Sequence, residues 1–188
     1  MSQSSNSLAG KNVAVVTDSM YEDLEVWYPV IRLREAGAEV KVLGLHEAGK
    51  ILKSEHGYEV REDMPISSAR AEDFDAVVLP GGMAPDELRR HEPVLQFLRD
   101  ADEKNKVIAS ICHGPQLLIS AGLLKGRTMT CVDSIKSDLI NAGANYVDRE
   151  LVVDGNLISS RTPEDLPAFG RELVSALSQV KTAPMIGQ

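Results

Sequence analysis

The stretch Val107-Ile-Ala-Ser-Ile-Cys-His-Gly-Pro-Gln-Leu-Leu-Ile-Ser120 constrains the fold of this chain more than any other. It starts as a short apolar run, breaks at Cys112 and resumes with helical apolar spacing behind Gly114 and Pro115. The pattern predicts a strand, a sharp turn and a helix. A side chain at such a corner leaves the sheet edge, and the backbone N–H groups after it face whatever it attacks, the geometry of a nucleophile elbow. Cys112 would also lie near the positive end of a helix dipole, which favours thiolate over thiol. The competing reading is a buried cysteine that closes an ordinary core strand. The adjoining His113-Gly114-Pro115 favours the reactive one, because apolar cores seldom need that triplet.

A chain of 188 residues fits one domain, expected over residues 11–180, with a polar tail at 1–10 that packs on nothing and a second tail at 181–188. A net charge of -8 disfavours nucleic acid and anionic membranes as partners, because like charges repel. The first eight residues form no apolar leader and no apolar run reaches membrane length, so a cytoplasmic protein with Cys112 and Cys131 reduced is expected.

Lys11–Thr17 and Asp75–Leu79 are continuous apolar runs, the pattern of parallel strands buried on both faces. Between them, a helix over Tyr21–Ala36 capped by Asp18 or Ser19, with Pro29 as an internal fault, leads to a strand at Ala38–Gly44. Short runs at Lys50–Lys53 and Tyr58–Val60 suggest a small antiparallel excursion, with His46 and His56 as exposed loop histidines lacking a third metal donor. An amphipathic helix over His91–Asn105 returns the chain to the elbow. Beyond it come a strand at Met129–Val132 with Cys131 in the core and a helix over Ser134–Asn141. A hairpin turning at Asp154-Gly155 and a last helix opening at Thr162-Pro163 complete the chain. Alternating strands and helices define a mostly parallel sheet covered on both faces, with the ends of the strands at Thr17, Leu79 and Ile111 on one edge.

That edge collects the chemistry. Ligands of open α/β sheets bind there, and Gly81-Gly82 would let backbone N–H groups approach an oxyanion closely. No G-x-G-x-x-G and no phosphate-binding loop is present, so NAD and ATP are rejected and no cofactor or metal is expected. Glu22, Asp23 and Glu25 follow the first strand, and at least one carboxylate could reach the cysteine with a raised pKa. His113 needs a third group to orient it, for which Asp86, from this chain or a neighbouring subunit, is the candidate.

The segments Thr17–Asp23, Val78–Asp86, Ala109–Ala121 and Ser159–Phe169, in that order, resemble the ThiJ/PfpI family. The resemblance implies a flavodoxin-like, class I glutamine amidotransferase-like three-layer α/β sandwich, with Cys112 as nucleophile, Glu22 as the carboxylate touching the sulfur and His113 as its base. It implies Gly81, Gly82 and Gly114 around the oxyanion or substrate, and a homodimer or higher homo-oligomer. PfpI-like members orient the histidine with a glutamate of the adjoining subunit; this chain has the shorter Asp86 there, as in members described as deglycases and glyoxalases. The implied activity is that of a stress-protective cysteine hydrolase acting on small aldehydes or glycated proteins and peptides. The alternatives are an intracellular cysteine peptidase of the PfpI type and a redox sensor or chaperone that oxidises Cys112 to a sulfinate.

Overall fold

In the computed structural model, which describes residues 7–180, the first apolar run becomes β1 (Asn12–Val16) and enters α1 (Asp23–Glu35). There follow β2 (Glu39–Gly44), the hairpin β3 (Ile51–Lys53) and β4 (Glu59–Arg61), and the short edge strand β5 (Met64–Pro65). β6 (Ala76–Leu79) leads through the short α2 (Ala84–Leu88) to α3 (Glu92–Glu103), and β7 (Val107–Ile111) to α4 (Pro115–Ala121). β8 (Thr128–Met129), α5 (Lys136–Asn141), β9 (Asn145–Tyr146), β10 (Val152–Asp154), β11 (Leu157–Ser160) and α6 (Leu166–Gln179) complete the order.

The central sheet runs β10-β11-β7-β6-β1-β2-β5, parallel except for the β10–β11 hairpin. β6, β7 and nearly all of β1 are buried, which explains why they read as unbroken apolar runs rather than alternating ones. Register pairs Val13 with Ala76 and Ala76 with Val107, so the carboxyl ends of β1, β6 and β7 lie side by side, as expected. The chain leaves β1 toward β2 and returns on its other side at β6. This reversal of strand order opens a crevice between the two carboxyl ends. One face of the sheet carries α1 against α6, and α4 packs against α2 and α3.

Several expectations are corrected. Residues 1–6 and 181–188 lie outside the described residues, but the tail read over 1–10 does not end in solvent. Leu8 is wholly buried, and its N–H donates to the Ala36 carbonyl at 2.9 Å. The cap of α1 is Glu22, not Asp18 or Ser19, because Tyr21 is held in an antiparallel bridge with Gly82 and the chain stays extended two residues longer. Pro29 stays inside α1, buried against the core, and cannot donate to the Glu25 carbonyl one turn back. The hairpin turns at Gly155-Asn156, one residue later than expected, since Asp154 pairs with Leu157. The expected strand at Met129–Val132 shrinks to Thr128–Met129, although Cys131 is in the core. His46 is an exposed loop histidine as expected, with its Nδ1 3.3 Å from the fully buried Glu62 carboxylate. Among the described residues, no group of three or more His, Cys, Asp and Glu side chains is placed to hold a metal ion, and no helix is long and apolar enough to cross a membrane.

Candidate active site

β7 delivers Cys112 to the corner in a left-handed conformation, φ 58°, which costs an L-residue about 1–2 kcal/mol. Backbone bonds from two sides hold it there. Its N–H donates to the Ser160 carbonyl at 3.2 Å, and its carbonyl accepts from the Val132 N–H at 3.2 Å. Gly114 makes the corner possible by close approach, since a Cβ there would collide with the Leu79 carbonyl oxygen and lie 2.9 Å from that of Ile111. Its own N–H is spent on the Ile111 carbonyl at 2.8 Å, so the expected oxyanion or substrate role for Gly114 gives way to a steric one.

The glycine loop follows β6 into the crevice. A Cβ on Gly81 would sit 2.7 Å from Glu25 Oε2, 2.8 Å from Cys112 Cβ and 2.9 Å from the His113 nitrogen, so only glycine lets the three segments meet. The Gly81 N–H donates to Glu25 Oε2 at 2.7 Å and is not free for an oxyanion. Gly82, at φ 80°, turns its N–H the other way. That N–H and the N–H of His113 lie close enough to Cys112 to pull its thiol pKa down.

The carboxyl group at the sulfur belongs to Glu25, not Glu22. Glu22 is the N-cap of α1: its Oε2 folds back to accept from the Glu25 N–H at 2.8 Å, leaving it half-buried at the rim. Glu25, at the third helical position, would ordinarily reach back to the cap, as in a capping box. Here it turns inward and is wholly buried: Oε2 accepts from the Gly81 N–H, and Oε1 has no hydrogen-bond partner among the described residues, beside the Cys112 side chain. The signal was present in the sequence: Val26, Pro29, Val30 and Leu33 mark the inward face, and Glu25 lies one turn before Pro29 on it.

Burial pushes the Glu25 carboxyl up to about 8, against the pull of the Gly81 hydrogen bond. Burial, followed by the Glu25 charge, also pushes the Cys112 thiol well above its ordinary value, while the N–H groups of His113 and Gly82 act in the opposite direction. Both groups therefore hold their protons near neutrality, and ionising one makes it harder to ionise the other. With Glu25 protonated the second cause disappears, and the carboxyl can donate to a thiolate that the nearby His113 and Gly82 N–H groups also favour.

His113 Nδ1 lies 3.3 Å from Cys112 Sγ, and burial holds its proton affinity below that of a free imidazole. Its other nitrogen, Nε2, lies 3.1 Å from Ser134 Oγ. Asp86, expected as the orienting group, is exposed on α2, and within the chain Ser134 occupies that position. No motif marked Ser134, which comes from the turn at Asp133–Ile135, a segment distant in sequence from the elbow.

A mostly parallel sheet with a cysteine at a strand-to-helix elbow and a buried carboxyl beside it defines a flavodoxin-like protein. The chain belongs to the DJ-1/PfpI family, whose sequence profile matches residues 11–176. It is 46% identical over 157 residues to Deglycase PfpI of Pyrococcus furiosus, covering 84% of this chain and 93% of that protein. It is 47% identical over 167 residues to YraA of Bacillus subtilis, provisionally named a cysteine protease, covering 89% of this chain and 98% of that one. Among solved structures, Drosophila melanogaster DJ-1beta superimposes with a TM-score of 0.83 at 31% identity, over 92% of each chain. A two-domain protein of Anabaena variabilis with DJ-1/ThiJ/PfpI-like and ferritin-like domains gives a TM-score of 0.87 at 41% identity; the match covers 94% of this chain but 52% of that one.

Proposed function

We propose that this protein is a cofactor-independent cysteine hydrolase that acts on glyoxal or methylglyoxal, or on their adducts with proteins and peptides, in the cytoplasm. The observation that carries the reading is the meeting of the buried Glu25 carboxyl, the Cys112 side chain and the His113 N–H around Gly81, with His113 Nδ1 3.3 Å from the sulfur. The names of the deglycase relatives support the substrate class.

In this reading the Cys112 thiolate adds to the aldehyde carbon and forms a C–S bond, and the carbonyl electron pair becomes an oxyanion within reach of the Gly82 and His113 N–H groups. With methylglyoxal, Glu25 moves the proton from the former aldehyde carbon to the neighbouring carbon, so the first is oxidised and the second reduced. The resulting thioester is cleaved by water to lactate and the free thiol. No external oxidant is required, and the carboxyl raised to about 8 can both accept and return a proton near neutrality.

Lactate formation from methylglyoxal by the purified protein tests the reading; no turnover above a Cys112→Ala control refutes it. A second reading, a peptidase assembled in a homo-oligomer, draws on the exposure of Asp86, which leaves it open to a neighbouring copy, and on the YraA likeness. It requires cleavage of a fluorogenic peptide that is lost on Asp86→Ala.

A further inference from the structure

Ser134 is an uncharged residue in the place where a triad would have a carboxylate. The turn that bears it, Asp133–Ile135, is pinned to the elbow because the Val132 N–H donates to the Cys112 carbonyl at 3.2 Å and the Ile135 N–H to the Val132 carbonyl at 3.2 Å. One backbone tether thus sets the thiol and the serine hydroxyl on opposite sides of the imidazole, 3.3 Å from Nδ1 and 3.1 Å from Nε2.

We propose that Ser134 is a positioning residue that holds His113 as a neutral imidazole with its single proton on Nδ1, aimed at Cys112 Sγ. The proposal deepens the cysteine-hydrolase reading above and rests on it for its catalytic meaning. A hydroxyl can donate or accept, and it carries no charge. When it donates to Nε2, that nitrogen must be bare, and the proton of a neutral ring must sit on Nδ1 facing the sulfur. An Nδ1–H, 3.3 Å from the sulfur, then gives the thiolate a side-chain donor.

A carboxylate at Ser134 would do the opposite, attracting a second proton to the ring and making a thiolate–imidazolium pair. The other groups facing the ring agree with the neutral form. Burial lowers its proton affinity and outweighs the opposing charge of Glu55, which lies in the turn between β3 and β4. The resting site therefore has a neutral imidazole beside the thiol rather than a cysteine–histidine ion pair.

The test compares the full chain with its Ser134→Ala, Ser134→Thr and Ser134→Asp variants. The His113 tautomer is read by nitrogen NMR of the ring and the Cys112 reactivity by iodoacetamide alkylation between pH 6 and 9. The wild type is expected to show Nδ1–H at pH 7. Ser134→Ala is expected to mix the tautomers and slow alkylation at pH 7 by about two- to tenfold, the worth of one hydrogen bond. Ser134→Thr restores both, and Ser134→Asp raises the pH at which the ring protonates. An Nε2–H ring in the wild type, or a Ser134→Ala variant with unchanged tautomer and alkylation profile, overturns the proposal. Neither readout uses an aldehyde, so a protein without methylglyoxal turnover that passes both tests has lost the functional reading and kept this one. Ser134 is exposed, and a thermal melt checks that each variant folds.

Discussion

Replacing Glu25 by Gln separates what the buried carboxyl costs from what it does. The glutamine oxygen can accept from the Gly81 N–H, and its amide can face the sulfur, so the shape of the site is kept while the ionisation is removed. In the wild type the carboxyl is raised from the ordinary 4.5 to about 8. The folded state therefore binds a proton that the unfolded chain has released over that interval, and stability falls as pH rises through it. At about 1.36 kcal/mol per pH unit the full loss is on the order of 5 kcal/mol, a large share of a typical domain's 5–15 kcal/mol. Urea unfolding at pH 5, 7 and 9 reads it directly. The Glu25→Gln variant is expected to gain on the wild type by several kcal/mol between pH 5 and 9, while losing roughly 100-fold or more in turnover with the proton shuttle. A stability difference that stays constant across that range would refute the assignment of a buried carboxyl with a raised pKa at this position.

Glu22→Ala is expected to cost about 1 kcal/mol through loss of the α1 cap, measured by urea unfolding, and to leave the pH profile of Cys112 alkylation unchanged, unlike Glu25→Gln. Gly81→Ala forces a methyl group between Glu25, Cys112 and His113; alkylation should slow and turnover vanish even where circular dichroism shows a folded chain. Leu8→Ala removes a wholly buried side chain and should cost about 2–5 kcal/mol in urea. A cost below about 0.5 kcal/mol would mean that the segment before β1 does not pack.

Strand identity was legible because β1, β6 and β7 are buried on both faces, and a short, unbroken apolar run bounded by turn residues suits a central parallel strand better than any surface element. The elbow was legible for a related reason: an apolar run that stops at Cys-His-Gly-Pro implies a corner. The choice among Glu22, Asp23 and Glu25 was harder. It depends on where the helix begins, and that is set by the Tyr21–Gly82 bridge, a contact between segments some sixty residues apart in the chain. Moving the cap from Ser19 to Glu22 turns Glu22 onto its own helix and sends Glu25 into the core. Ser134 and Leu8 were hidden similarly, since one hydroxyl and one leucine carry no local pattern and acquire their roles only from tertiary neighbours.

The backbone bonds that hold Cys112 have a kinetic consequence. Its N–H waits for Ser160, its carbonyl for Val132, and its thiol for Glu25 and Gly82, four positions spread across most of the chain. A topology whose central pairings are all non-local folds slowly, because the ends of long loops must meet before any contact rewards them. The reactivity of this one sulfur is thus a clock for assembly. During refolding, alkylation should proceed at the rate of a free thiol until β11, β7, β6 and β1 are in register, and then change in a single step.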